Sequence, residues 1–366
     1  MLKRLYIDNF RCFVNFEYKP ERKQLLLGAN GSGKSSLLDA IQTVKEFVLG
    51  TSPGPRAILD PRNRTGWQNV PTQVFEIEGE DKGRSFIYRI ETTTSENRGS
   101  NEVTLEILSV DGSLVVSKSK TGVNLGDGPT KLVDVSTRVK DISLVHFAKD
   151  YESVKAFLQW IERIYLLQIN PPTMREIAPR EEEFPSKGFS NIASVYRHLL
   201  QSDSAGNLEM TLALKETLDS FQALQFEESD IGKRLIARFG SPASSSLSLG
   251  LKELSDGQRS LIALYMILHF WIARGYTVFI DEPDNFISLR EIQPWLLEAE
   301  STADDNKGQL ILISHHPEIL NQWAREYGVL IVREQNGHVA PPRAYKTDYD
   351  DILQPAETIA RGWENE

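Results

Sequence analysis

The sequence predicts an α/β protein whose core is interrupted by an inserted antiparallel β lobe and a helical lobe. Three observations predict it. Gly28-Ala29-Asn30-Gly31-Ser32-Gly33-Lys34-Ser35 fits G-x-x-x-x-G-K-[ST], and it stands between an apolar run, Leu25–Leu27, and a helix start at Ser36–Ile41. A second apolar run, Tyr276–Ile280, ends in two acids, Asp281 and Glu282. Between these runs the texture changes twice, first to two-fold alternation with turn signals and then to helical spacing.

In chain order, Leu2–Asp8 alternates as a strand, Asn9-Phe10-Arg11-Cys12-Phe13 makes a turn, and a second strand lies around Phe16–Tyr18. Residues 1–50 thus hold the first part of the core. Thr51-Ser52-Pro53-Gly54-Pro55 and Asp60-Pro61-Arg62-Asn63 form an irregular connection. Gln73–Glu78 and Ser85–Thr92 then alternate around Glu80-Asp81-Lys82-Gly83, while Val103–Val110 and Leu114–Ser117 flank Asp111-Gly112. These hairpins make residues 51–148 a separate β lobe, with Thr93–Asn101 as an exposed loop.

From Tyr151 onward, Val154, Phe157, Leu158, Ile161, Ile164 and Tyr165 fall at helix spacing. Ile192–Leu200 and Leu208–Leu224 read as two more helices, so residues 149–250 form a helical lobe, and Glu181-Glu182-Glu183 is a solvated run within it. The core resumes over 251–345 with a helix from Asp256 to Arg274, the strand Thr277–Asp281 and a helix near Arg290–Glu300. After the polar loop Thr302–Gly308 come the strand Gln309–Ser314 and a closing hairpin, Val329–Arg333 with His338–Tyr345 about Asn336-Gly337. Residues 346–366 are a polar tail.

Composition bounds the function. At 366 residues, 40% hydrophobic and 25% charged, the chain has room for a large core. A net charge of −10 excludes a uniformly basic nucleic-acid surface and leaves room only for a local basic groove. Cys12 is the lone cysteine, which excludes a disulfide framework or a cysteine-cluster zinc site within one chain and fits a reducing cytoplasm. Met1-Leu2-Lys3-Arg4 runs into a strand rather than a signal peptide, and the longest apolar stretch, Leu261–Ala273, is too short to span a bilayer. A cytoplasmic protein without a membrane partner is expected.

The chemistry follows from the two motifs. Glycines let a loop wrap a phosphate chain, and Asn30, Gly31, Ser32, Gly33, Lys34, Ser35 and Ser36 place backbone N–H groups and a helix start around it. Lys34 supplies a point charge for the β- and γ-phosphates, and the Ser35 hydroxyl suits Mg²⁺. Asp281 can complete the metal shell opposite Ser35. Glu282, one residue on, faces the other way and can orient or deprotonate the attacking water. ATP with Mg²⁺ is the predicted ligand.

Leu254-Ser255-Asp256-Gly257-Gln258-Arg259 discriminates further: Ser255 is a good N-cap, Gly257 permits close backbone approach, and a helix start favours an anion. Here the chain resembles the ABC-type ATPases, whose L-S-x-G-Q signature opens a helix pointing at the γ-phosphate bound by the opposite subunit. The motif precedes Glu282, as that family requires. The resemblance makes Ser255, Gly257 and Gln258 nucleotide contacts across a dimer. In Ile313-Ser314-His315-His316-Pro317, His315 resembles the switch histidine that reaches the γ-phosphate, and His316 is secondary. Leu5-Tyr6-Ile7-Asp8-Asn9-Phe10-Arg11 resembles the opening of the SMC and RecF branch, making Arg11 a candidate nucleotide contact. The metal-coordinating loop glutamine of the family falls to Gln168, with Gln159 as the other candidate.

The resemblance is to compact RecF-like or OLD-like ATPases, and it implies an ABC-type P-loop ATPase head hydrolysing ATP to ADP and phosphate with Mg²⁺. It also implies a homodimer or higher homo-oligomer built on composite ATP sites. Such a head would be an ATP-gated clamp or regulator of a separately encoded, nuclease-like effector in bacterial phage defence. The alternative is a RecF-like DNA-repair or DNA-end-binding ATPase. A transporter ATPase is disfavoured by the Asn9-Phe10-Arg11 turn and the large insertion. The chain lacks the cysteine hook of the DNA-repair relatives and ends too early for the Toprim nuclease domain of full-length OLD proteins. Where the family often has a histidine-containing loop, it carries Asp284-Asn285-Phe286-Ile287-Ser288-Leu289-Arg290.

Overall fold

The computed structural model describes residues 1–51, 58–94, 101–119, 122–125, 142–240, 247–305, 308–334, 337–346 and 354–361. Of the expected loops, Ser52–Pro55, residues 95–100 and 306–307, Asn336 and most of the tail lie outside the described residues. Two units form: Met1–Glu21 with Leu26–Ile164 and Val329–Ala344, and Arg22–Leu25 with Tyr165–Gly328 and Tyr345–Glu366.

The first elements are β1 (Leu2–Asp8), β2 (Phe16–Tyr18), β3 (Lys23–Leu27) and α1 (Lys34–Leu49). They are followed by β4 (Thr72–Asp81), β5 (Arg84–Thr94), β6 (Asn101–Val110), β7 (Ser113–Ser119), β8 (Gly122–Leu125) and α2 (Glu152–Glu162). The first unit is built on a seven-stranded sheet in the order β2-β1-β4-β5-β6-β7-β8. Lys82-Gly83 and Asp111-Gly112 all take positive φ, as two-residue hairpin turns require, and so fix Asp81 opposite Arg84 and Val110 opposite Ser113. The hairpins do not stand apart from the N-terminal strand. β1 pairs antiparallel with β4 from Leu2 opposite Gly79 to Asp8 opposite Val74, a pairing that sequence alternation cannot announce.

The helix α2 packs on this sheet through aromatic stacking, Phe86 on Trp160 with ring centroids 5.4 Å apart and Tyr88 on Phe157 at 5.4 Å. Gly79 makes room for it, since a Cβ there would lie 1.9 Å from the Trp160 ring. Lys45 joins α1 to the end of α2 by donating to the carbonyls of Glu162, at 3.1 Å, and Ile164. Burial pushes its ammonium down to about 8.

The second unit holds β9 (Ile164–Leu167), β10 (Ile177–Ala178), α3 (Ile192–Ser202), α4 (Ser204–Thr217), β11 (Phe221–Ser229), β12 (Gly232–Phe239) and β13 (Leu247–Gly250). Ile164 and Tyr165, expected to continue the preceding helix, are instead in a strand. The helix expected over Leu208–Leu224 stops at Thr217, and Phe221 onward pairs with β12. The helical lobe thus also contains a four-stranded sheet in which β12 pairs with β10, β11 and β13.

Next come α5 (Asp256–Phe270), β14 (Thr277–Asp281), α6 (Leu289–Asp305), β15 (Gln309–Ile313), α7 (Pro317–Tyr327), β16 (Gly328–Leu330), β17 (Arg343–Ala344) and α8 (Pro355–Ala360) within the expected tail. Of these, β17 and β16 past Gly328 belong to the first unit; in the second the strand order is β3-β15-β14-β9, with β14 and β15 parallel from Thr277 opposite Gln309 to Asp281 opposite Ile313. The apolar stretch of α5 is buried on all sides from Leu261 to Leu268, which marks a core helix, and the Trp295 indole of α6 donates to the Leu264 carbonyl at 3.1 Å. Among the described residues no helix is long and apolar enough to cross a membrane.

Candidate functional site

The phosphate-loop residues lie in the first unit. β3, with Leu25–Leu27 buried, delivers the chain to Gly28, and a turn closed by Ser32 N–H to Ala29 O at 3.0 Å carries it into α1. Gly28 and Gly33 are required by crowding as well as by their φ of 146° and 111°. A Cβ at Gly28 would sit 2.4 Å from the Ile331 carbonyl oxygen, and one at Gly33 would sit 3.0 Å from Val339. Gly31 is required by its φ of 80° alone and faces open space.

Whether these residues fit a phosphate chain can be read from the start of α1. Gly33 caps it without any side-chain hydrogen bond, and its first turn has no acidic residue, so no side chain there competes with an outside anion for its positive dipole end. Ser32 Oγ is buried and makes no hydrogen bond, a cost that an incoming phosphate oxygen would relieve. Lys34 is buried along the loop and donates to the carbonyls of Gly28 and, at 3.2 Å, Ala29. Asn30, Gly31 and Ser35 are exposed, and Ser36 is half-buried. The loop fits the ligand. Arg11 takes a φ of 50°, donates its N–H to the Asn63 carbonyl at 2.7 Å, and pairs its guanidinium with Asp39 of α1.

The acidic, signature and histidine residues lie in the second unit. The register of β14 on β15 brings Asp281-Glu282 and Ser314-His315 to the same end of two adjacent parallel strands. Glu282 donates its N–H to the Ile313 carbonyl at 2.8 Å and holds φ at 51°, a conformation that costs a glutamate on the order of 1 kcal/mol and re-aims its side chain relative to the strand. Asn285 Nδ2 donates to Glu282 Oε2 at 2.7 Å. Ser314 Oγ donates to Asp284 Oδ1 at 2.5 Å and accepts from His316 N–H at 2.9 Å. The loop after Glu282 is thereby tied to both strand ends. His315 is exposed, whereas His316 is the N-cap of α7, its Nδ1 accepting from Glu318 N–H at 3.3 Å. That accounts for His316 structurally.

Ser255 and Gln258 form a reciprocal capping box: Ser255 Oγ accepts from Gln258 N–H at 3.1 Å, and Gln258 Oε1 accepts from Ser255 N–H at 3.0 Å. Ser255 is exposed at the start of α5, while the side-chain oxygen of Gln258 is engaged in fixing it. The close approach that Gly257 allows is to its own chain, because a Cβ there would lie 2.8 Å from the Phe286 carbonyl oxygen. Arg259, not singled out in the sequence, donates to the Pro171 carbonyl at 2.8 Å and pairs with Asp256, anchoring the signature helix to the segment after Gln168. Gln168 immediately follows β9, the strand next to β14, and is half-buried; Gln159 is exposed on α2. Asn285 was likewise missed. The one sequence signal for it is its place three residues after Glu282 in a turn-forming stretch.

A serine hydroxyl such as that of Ser35 and a carboxylate such as that of Asp281 are each hard oxygen donors of the kind Mg²⁺ takes, so the chemistry of each suits that ion. Among the described residues no cluster of three or more His, Cys, Asp or Glu could hold a metal by protein ligands alone.

Residues 25–321 match the family AAA_21, described as "AAA domain, putative AbiEii toxin, Type IV TA system", and residues 2–45 match AAA_29, the P-loop containing region of AAA domain. The OLD nuclease of Thermus scotoductus is 24% identical over 338 residues, 87% of this chain, and the match covers 59% of that relative's length. The chain therefore spans about three fifths of that curated relative. In fold, an SMC head bound to the C-terminal winged-helix domain of ScpA is similar with a TM-score of 0.59 at 13% identity, over 96% of this chain and 99% of that one. The SMC head of Pyrococcus furiosus with an extended coiled coil, bound to the C-terminal domain of ScpA, gives 0.50 at 11% identity, over 98% of each chain. The chain belongs to the AAA_21 family and carries the P-loop region of an AAA domain, with an α/β fold similar to that of SMC heads.

Proposed function

We propose that this chain hydrolyses ATP with Mg²⁺ at sites completed between two copies of itself, and that the ATP-held dimer regulates a separately encoded effector. The observation that carries the reading is the start of α1, uncapped, with a buried unbonded Ser32 hydroxyl and Lys34 laid along the loop. Lys34 and the amides of residues 30–36 bind and orient the phosphates. Ser35, Asp281 and Gln168 hold Mg²⁺, which when bound neutralises charge developing on the phosphate oxygens. Glu282 takes a proton from the attacking water, and His315 supplies a donor toward the γ-phosphate. Ser255 and Gly257 of the second copy complete the charge stabilisation, with Gln258 acting through the cap it makes. Arg11 adds a phosphate contact when its pair with Asp39 opens.

Asn285 is a positioning residue in this scheme. Asn285→Ala is expected to lower kcat about tenfold and leave KM for ATP within twofold, since it loosens Glu282 without touching the phosphates. Steady-state phosphate release checks this, and an unchanged kcat removes Asn285 from the mechanism.

A nuclease among the relatives and a toxin named in the family description support a destructive effector; bacterial phage defence and a cytoplasmic setting belong to the same proposal. The net charge of −10 favours a protein target over DNA. Salt-sensitive DNA binding that strengthens with ATP would instead favour DNA repair. Composite sites are tested by light scattering of the wild type and Ser255→Arg with and without Mg-ATP. The wild type should double in mass with ATP. The variant should bind ATP and stay single. A dilute wild-type monomer turning over ATP at full rate would remove Ser255 from the partner's site.

A further inference from the structure

Arg11 stands on the turn between β1 and β2, where its φ of 50° is a conformation that an arginine seldom takes. The turn keeps it because its surroundings over-determine it. Arg11 donates its N–H to the Asn63 carbonyl at 2.7 Å, and the carbonyl of the next residue, Cys12, accepts from Val339 N–H at 3.1 Å. From that fixed backbone the side chain reaches over the buried Phe10 ring, with Cζ 5.3 Å from its centroid, and Nη1 donates to Asp39 Oδ2.

The place of Asp39 gives this pair its consequence. Asp39 follows Ser35 by four residues in α1, so the two side chains stand one turn apart on one face of the helix, with Cβ atoms about 5–6 Å from each other. Asp39 therefore holds Arg11 beside the start of α1, and in the same contact it occupies the guanidinium and sets a negative charge there. Both effects oppose an anionic ligand. The pair is also weak enough to yield. Its side chains are 39% and 34% exposed, and an ion pair so exposed is worth about fivefold or less in an equilibrium constant, against roughly tenfold or more for a charge-assisted bond from a guanidinium to phosphate.

We infer that Asp39 competes with the nucleotide phosphates for Arg11. The bound nucleotide draws the guanidinium off the carboxylate, and Asp39 takes it back as ADP leaves, so that the pair keeps product affinity low and speeds exchange. The inference rests on the phosphates lying at the start of α1, as proposed above, and it makes Asp39 a positioning residue that acts through Arg11. The exchange asks only for rotation of one side chain, since the N–H anchor on Asn63 stays in place.

Equilibrium binding and stopped-flow release of Mg-ADP carrying a fluorescent label on the ribose test this on the full-length chain. The proteins compared are wild type, Asp39→Asn, Asp39→Glu, Arg11→Ala and the double variant Arg11→Ala with Asp39→Asn. Asp39→Asn is expected to tighten binding about fivefold, nearly all of it as slower release, while Asp39→Glu stays within about twofold of wild type. Arg11→Ala should weaken binding about tenfold, and in that background Asp39→Asn should change affinity by less than about twofold, because the group it competes for is gone. A carboxylate that only braced the turn gives the opposite sign. Weaker or unchanged binding in Asp39→Asn overturns the inference and leaves the Arg11 phosphate contact standing. Equal tightening in both backgrounds overturns it too, by making Asp39 a direct repeller of phosphate. Unchanged binding in Arg11→Ala would remove the Arg11 contact along with the inference, and no binding by the wild type would remove the nucleotide site on which both rest.

Discussion

Replacing Glu282 by glutamine is expected to cut ATP turnover by about 10²–10⁴-fold while ATP still binds, and to leave the ATP-bound dimer trapped. Glutamine has the shape of glutamate and can still accept from Asn285, which donates to Glu282 Oε2 at 2.7 Å. The positive φ at this position is unchanged by the swap, so the backbone between β14 and the loop keeps its course. What disappears is the basic carboxylate. Single-turnover hydrolysis separates this from a folding defect, because the variant should bind ATP at wild-type affinity and gain mass with it. Wild-type turnover in Glu282→Gln would move the base elsewhere, and the nearest acidic neighbour in the same loop, Asp284, is held by Ser314 at 2.5 Å.

The parts of this site written in short contiguous stretches were legible beforehand. A Gly-rich loop between an apolar strand and a helix, an N-cap with Gln three residues on, and two turns of Lys82-Gly83 and Asp111-Gly112 each owe their conformation to neighbours in sequence. The missed features depend on partners far along the chain. Leu218, Phe221 and Leu224 are buried and spaced three apart, which reads as one helical face, yet Phe221 and Leu224 are strand residues opposite Phe239 and Ala237. Long-range pairing with β12 decided between two local readings of similar strength. The same holds for β1 on β4 and for Arg259 at Pro171, where the second group lies 88 residues away. Gly257 was legible as a close-approach glycine, but its neighbour, the Phe286 carbonyl, was not.

Lys34→Ala is expected to abolish ATP binding, with affinity falling at least a hundredfold and turnover going below detection. A charge-assisted hydrogen bond is worth about 1.5–3 kcal/mol, and one ammonium serving two phosphates forfeits more than one such bond. The side chain also has a structural duty, since its donors satisfy the Gly28 carbonyl and the Ala29 carbonyl at 3.2 Å. Removing it leaves those acceptors to water at the loop mouth and should cost roughly 1 kcal/mol of stability, well short of unfolding the domain. Thermal melting distinguishes the two losses. Wild type should gain several degrees with saturating Mg-ATP, because a ligand that binds only the native state stabilises it by mass action. Lys34→Ala should melt slightly earlier without nucleotide and should not respond to ATP. An undiminished ATP-dependent shift in that variant would mean that the loop amides and the α1 dipole hold the phosphates unaided, and the charge term would then have to be reassigned to Arg11.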